Sequence, residues 1–102
     1  MAKRVIWTKN AQKERKEILK YWIERNKSKT YSKKLNELFK DSINLLKLRP
    51  EIGKKTDIEN VRIKIIRDYL IFYESSSDKI YILSIWDSRQ DPNSLIIKKA
   101  SR

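Results

Sequence analysis

Between residues 61 and 91 the hydrophobic positions change their pattern twice. Val61, Ile63 and Ile65 alternate with Arg62 and Lys64, the period of a half-buried strand. Arg67-Asp68 then predicts a turn. From Tyr69 to Glu74 the apolar residues fill both sides, with Leu70 and Phe72 against Tyr69, Ile71 and Tyr73. Ser75 to Asp78 is a second turn. From Lys79 to Asp87 both sides are apolar again, Ile80 and Ile82 against Tyr81, Leu83 and Ile85. Strands apolar on two faces belong in the middle of a sheet, so the stretch reads as three consecutive strands forming a meander.

Before residue 50 the period is helical. Lys3–Thr8 is a short apolar-centred run, read as a first strand, and Thr8 or Asn10 is a candidate N-cap for a first helix. Ala11, Ile18, Trp22 and Arg25 share one face of that predicted helix over 11–26, widened by Leu19, Tyr21 and Ile23. Ser28 or Thr30 is placed to cap a second helix over 31–48. Its stripe is Tyr31, Leu35, Leu38, Phe39, Ser42, Leu45 and Leu46, at helical spacing. Arg49-Pro50 stops it, because proline disfavours α geometry in the residue before it. A short turn between the helices predicts an antiparallel hairpin. Gly53, the only glycine, is expected to supply a positive φ, and 54–60 reads as a polar connection. The tail 93–102 is either a short last helix or a frayed end. The fold class expected is α+β in the order β-α-α-β-β-β. It is a single domain over 1–102, an antiparallel sheet with the N-terminal helical hairpin packed on one face. The hairpin covers one side only, so the other is left for the C-terminal segment or a partner.

Charge adds a polarity along the chain. Net charge is +12, which favours a polyanionic partner or an acidic protein segment. Residues 1–56 hold 17 Lys and Arg against 6 Asp and Glu, and residues 57–102 hold 8 against 7. The excess is therefore carried by the helical half. The plain alternative is a solvated helix surface.

With no cysteine and no histidine, disulfides, thiolate or imidazole metal sites and a histidine general base are all excluded. One glycine makes neither a P-loop nor a dinucleotide fingerprint. No cofactor and no metal are expected. The opening MAKRVIWTKN lacks the apolar core of a signal peptide. The longest apolar run, Ile80–Trp86, is far shorter than a bilayer span. A cytoplasmic location with no membrane partner is the expectation. The remaining chemistry is cationic: Arg62 and Lys64 on one strand face, Arg67 in the next turn, Arg89 past the last strand. Such a group is able to stabilise a phosphorane or simply bind phosphates. Asp87 and Asp91 flank Arg89 and offset its field.

Several of these pieces match a known pattern. They are Thr8 and Ala11 leading the first helix, Ile18 with Tyr21, Tyr31-Ser32-Lys33-Lys34-Leu35 opening the second, and Pro50-x-x-Gly53. Further on come Val61-Arg62, Asp68-Tyr69-Leu70-Ile71-Phe72-Tyr73, and Trp86-Asp87-Ser88-Arg89-Gln90-Asp91-Pro92. In this order the chain resembles the RelE/ParE toxin superfamily of type II toxin–antitoxin systems over nearly its whole length. Within it the chain is more similar to ParE-like members.

The resemblance implies one of two mechanisms. RelE-like members cut mRNA in the ribosomal A site with basic residues on the sheet and a late tyrosine or histidine. ParE-like members inhibit DNA gyrase without hydrolysing RNA. Arg62 and Lys64 match the RelE-like basic pair, and Arg89 lies near its strand-four arginine. Leu70 stands where that pattern has an arginine, and no tyrosine or histidine follows Tyr81. The expectation is a ParE-like toxin that poisons gyrase and is neutralised by an acidic antitoxin. Its target-binding residues would be Arg62, Lys64, Arg67 and Arg89, and its antitoxin anchors Trp22 and Trp86. Core packing is the alternative for each tryptophan. No residue is assigned to catalysis on this reading. On the alternative, a ribosome-dependent mRNA endonuclease, Arg62, Lys64 and Arg89 would carry it. A homodimer and a toxin–antitoxin hetero-oligomer both remain open.

Overall fold

The computed structural model describes residues 3–90. The expected tail and the Asp91-Pro92 end of the terminal motif lie outside them. The elements are β1 (Arg4–Trp7), α1 (Lys9–Asn26), α2 (Thr30–Leu48), a 3-10 turn (Pro50–Ile52), β2 (Lys54–Lys55), β3 (Val61–Ile66), β4 (Tyr69–Ser75) and β5 (Lys79–Asp87). The α+β architecture is the expected one, and its five strands lie in the order β1-β5-β4-β3-β2.

Two features of the sheet differ from the expectation. The polar connection over 54–60 contributes a strand of its own, β2, antiparallel to β3. The first strand pairs parallel with the last, Arg4 opposite Lys79 and Trp7 opposite Ile82, so the sheet is mixed and not antiparallel throughout. The cause lies in α1, which leaves β1 without reversing. Its Glu14 reaches Ser84 and Ile85, and its Trp22 reaches Tyr69, the partner of Asp87. The helix thus continues along β5 past the end of β1. The return leg is α2: Phe39 stacks edge-on against Tyr69 at 5.8 Å, and the Lys47 carbonyl accepts the Lys3 N–H. β2 continues downward, β3 and β4 alternate, and β5 emerges parallel to β1.

α1 begins at a side-chain cap, whereas the N-cap of α2 is Lys29, which makes no side-chain capping bond, in place of the expected Ser28 or Thr30. The Thr8 hydroxyl oxygen accepts from Ala11 N at 3.2 Å and donates to the Ile82 carbonyl at 2.8 Å, so one cap joins α1 to β5. At the start of α2 the Ser28 hydroxyl accepts from Thr30 N at 3.2 Å. Thr30 itself is the first helical residue.

Burial divides into two layers. The larger core lies between sheet and helices and contains Leu35, Phe39, Leu46, Ile71, Tyr73, Ile80 and Ile82, all fully buried. A smaller cluster of Val61, Phe72 and Leu83 lies on the face without helices, with Ile58, Leu70 and Trp86 packed against it. β3 takes its orientation from this division. Val61 and Ile63 face the smaller cluster, while Arg62 and Lys64 lie opposite Tyr73 and Ile71 on the helix side.

Candidate functional site

The sheet ends in two polar constellations. The first forms where the β3–β4 turn meets the end of β5. Arg67 holds a positive φ of 53° in that turn, and Ser88 N donates to the Asp68 carbonyl at 2.8 Å. The Asp87 carboxylate accepts from Arg89 N at 2.9 Å, Nε at 3.0 Å and Nη2 at 2.8 Å. Those hydrogen bonds hold the Asp87 carboxyl below its ordinary range and raise the Arg89 guanidinium further. The planar fork of arginine matches a carboxylate on two prongs, so Arg89 is locked in direction while about half exposed. Its Cζ lies 6.0 Å from the Trp22 ring. Trp22 Nε1 donates to the Tyr69 hydroxyl at 2.7 Å, and burial pushes that phenol up. Glu17, Tyr21 and Gln90 complete a cleft of about 340 Å³ beside Tyr69, Asp87 and Arg89.

The second constellation clamps the turn after α2. The Tyr73 hydroxyl donates to the Pro50 carbonyl at 2.7 Å and accepts from Gly53 N at 2.9 Å. Arg62 Nη1 donates to the Glu51 carbonyl at 3.1 Å and the Gly53 carbonyl at 2.9 Å. Gly53 has φ −71° and ψ 157°, ordinary extended backbone, which corrects the expected positive φ. Glycine is needed here for space. A Cβ would lie on the Tyr73 phenol, 2.7 Å from Cε1, and the tight fit is what lets the Gly53 N–H reach the hydroxyl.

The four sequence-predicted cations therefore do not assemble into one group. Arg67 and Arg89 share one end of the sheet. Arg62 is five residues from Arg67 along β3, about 17 Å at strand rise, and is held by backbone carbonyls. Lys64 lies between them, half-buried on the helix side just past the cover of β2. The two tryptophans lie on opposite faces. Trp22 packs into the larger core, edge-on to Tyr31 at 4.9 Å, and Trp86 packs on the helix-free face. There it ends a cross-strand row with Leu70 and Ile65, and Ile65 is 61% exposed.

Sequence reasoning missed the Tyr73 clamp and the role of Glu14. β1 stops at Trp7, which leaves the upper edge of β5 without a strand partner. The Glu14 carboxylate takes over that edge, accepting from Ser84 Oγ at 2.9 Å and Ile85 N at 3.1 Å. Burial raises its carboxyl. An acidic residue on the sheet side of a lysine-rich helix was the one available signal. Among the described residues no helix is long and apolar enough to cross a membrane.

Comparison with known proteins agrees with this geometry. A solved structure described as the chromosomal ParDE toxin–antitoxin system from P. aeruginosa is similar, with a TM-score of 0.71 at 15% identity. The match covers 82% of this chain and 94% of that one, and at that identity it shows a shared fold. A search of curated proteins finds no match. The family model described as the ParE toxin of the type II toxin–antitoxin system parDE matches residues 5–92, nearly the whole chain. The chain belongs to the ParE toxin family of type II toxin–antitoxin systems.

Proposed function

We propose that this toxin acts by binding, that its target is DNA gyrase, and that an acidic antitoxin neutralises it. The observation that carries the reading is the use of Arg62. Its guanidinium is committed to the Glu51 and Gly53 carbonyls, and Arg89 is paired to Asp87. RNA cleavage by this scaffold would need those two cations, with Lys64, gathered on one phosphate, and they are separated along the sheet. A binding role asks less: Arg67, Arg89 and Lys64 as target contacts, with Arg62 holding the turn behind them. For the antitoxin, the helix-free face offers Ile65, Leu70 and Trp86 as an apolar row for a docking segment. Trp22, already bonded to Tyr69, serves the core. Acidic residues on that segment would offset the +12 charge, giving a toxin–antitoxin hetero-oligomer.

The test adds the purified protein to a gyrase supercoiling reaction and, separately, to a coupled translation reaction. Blocked supercoiling is expected, weakened at least tenfold by the double substitution Arg67→Ala/Arg89→Ala and restored by an equimolar antitoxin. Unimpaired supercoiling, or codon-positioned mRNA cleavage abolished by Arg62→Ala, would overturn the reading.

A further inference from the structure

The side of α1 turned away from the sheet carries a cationic row. Lys9, Lys13, Lys16, Lys20 and, just past the last helical residue, Lys27 are all exposed. At 3.6 residues per turn their steps of four, three, four and seven place them within an arc of about 60°. The buried and half-buried residues Ala11, Ile18 and Trp22 lie on the opposite side. The row is about 27 Å long at helical rise. Ile23 and Glu24 border it closely on either side, and Glu24 meets Lys20 at 3.8 Å. Like charges at these spacings repel one another, so the arrangement costs the helix some stability and is not a neutral way to keep it soluble.

We propose that this row is a docking surface for the phosphate backbone of duplex DNA, bound without regard to sequence. Three physical points select that occupant. A protein segment needs an apolar anchor at the centre of its interface, and the row contains none. Single strands are held by stacking on aromatic rings, and no aromatic side chain lies in the arc. A straight α-helix fits along the wide major groove of B-form DNA with its long side chains reaching the phosphates. The deep, narrow groove of duplex RNA does not admit it. The contacts are lysine ammonium groups, which position a protein on a backbone and read no bases. This inference is independent of the gyrase reading, since the row binds DNA whether or not gyrase is present.

The experiment titrates the full-length chain, without gyrase, against a fluorescent 24-base-pair DNA of arbitrary sequence (about two turns, enough to span the row). Binding is measured at several salt concentrations. Five phosphate contacts predict a slope of log K against log salt of about −4.5, and roughly 500-fold weaker binding at 200 mM than at 50 mM salt. Lys13→Gln/Lys16→Gln/Lys20→Gln should make the slope shallower by about 2.7, and the matching triple arginine variant should restore it. Lys34→Gln/Lys54→Gln/Lys55→Gln removes the same charge from exposed positions off the row and should leave the slope unchanged. Circular dichroism checks that each variant is folded. Three results would overturn the inference: no binding at 50 mM salt, equal effects of the two glutamine sets, or equal affinity for duplex RNA or polyglutamate.

Discussion

Tyr73 ties β4 to both ends of the turn after α2 through one hydroxyl, and its removal should be costly. Tyr73→Phe leaves the Pro50 carbonyl and the Gly53 N–H without their partner. Unsatisfied buried groups cost about 1–3 kcal/mol, read as a lowered urea midpoint. Gly53→Ala should destabilise by a comparable amount, about 1–3 kcal/mol, because the new methyl overlaps the phenol ring. Since the Gly53 backbone is ordinary, shrinking the ring should relieve the clash. The double variant Gly53→Ala/Tyr73→Leu is therefore expected to be less destabilised than the sum of its parts. Additive losses would point to backbone strain instead. Arg67 presents the reverse case. A bulky residue at φ 53° sits in the left-handed region that disfavours side chains. Arg67→Gly is expected to raise stability by about 0.5–1 kcal/mol while weakening target inhibition. Such a trade fits strain kept for function.

At the scale of an element, α1 does three jobs on three sides. Toward β5 it supplies Glu14 as a substitute edge partner. Burial raises that carboxyl, so the folded chain holds its proton more tightly than the unfolded chain does. The associated stability is present at acid pH and is lost as pH rises through the raised value. Asp87 has the opposite sign. Its lowered carboxyl contributes stability at neutral pH that disappears as pH falls through its folded value. Glu14→Gln keeps an acceptor for Ile85 N and carries no charge to bury. Urea titrations from below the ordinary glutamate range up to neutral pH should show the wild type losing stability relative to this variant as pH rises. Glu14→Ala should cost about 1–3 kcal/mol at either pH by leaving the β5 edge unpaired. Toward α2 and the sheet the helix packs Ile18, Leu19 and Trp22. Toward solvent it presents the lysine row. Three neighbouring Lys–Lys pairs, 9–13, 13–16 and 16–20, each cost about 0.2–0.5 kcal/mol. The Lys13→Gln/Lys16→Gln/Lys20→Gln variant should therefore be more stable than the wild type by up to about 1 kcal/mol at low salt, the lost Lys20–Glu24 pair offsetting part of the gain. The difference should shrink toward zero as added salt screens the repulsion.

Across the whole molecule the charge excess is concentrated in one half, where Tyr21, Leu45 and Leu48 are exposed as well. The helical half carries almost all of the +12 excess, and the helix-free sheet face carries the exposed Ile65 beside Leu70 and Trp86. On the two proposals, a polyanion would approach α1 and an antitoxin segment the helix-free face. Raising ionic strength should raise the melting temperature, since self-repulsion of a charge of +12 is screened. A melting temperature that falls with salt would place the dominant electrostatics in attractive pairs instead.

Much of this organisation was legible in the residues alone. Period-two and period-3.6 patterns are local, and they located α1, α2 and the meander to within two residues. Thr8 as a cap, the stop at Arg49-Pro50 and the Asp87 counter-charge to Arg89 rest on near neighbours in sequence. The sequence by itself therefore determined the element order apart from β2, the two-faced apolar strands, the placement of charge and the family. What only the tertiary structure decided was relational. β1 runs parallel to β5 because α1 does not reverse. Arg62 is spent on a turn eleven residues away in sequence from its farther partner, and Gly53 is small because Tyr73, twenty residues on, occupies the space. Trp22 and Trp86 fall on opposite faces. Each depends on which distant groups meet across the sheet, and a one-residue change in strand register would reverse every side chain's face. Local periodicity specifies what an element is, and only long-range packing specifies what its residues touch.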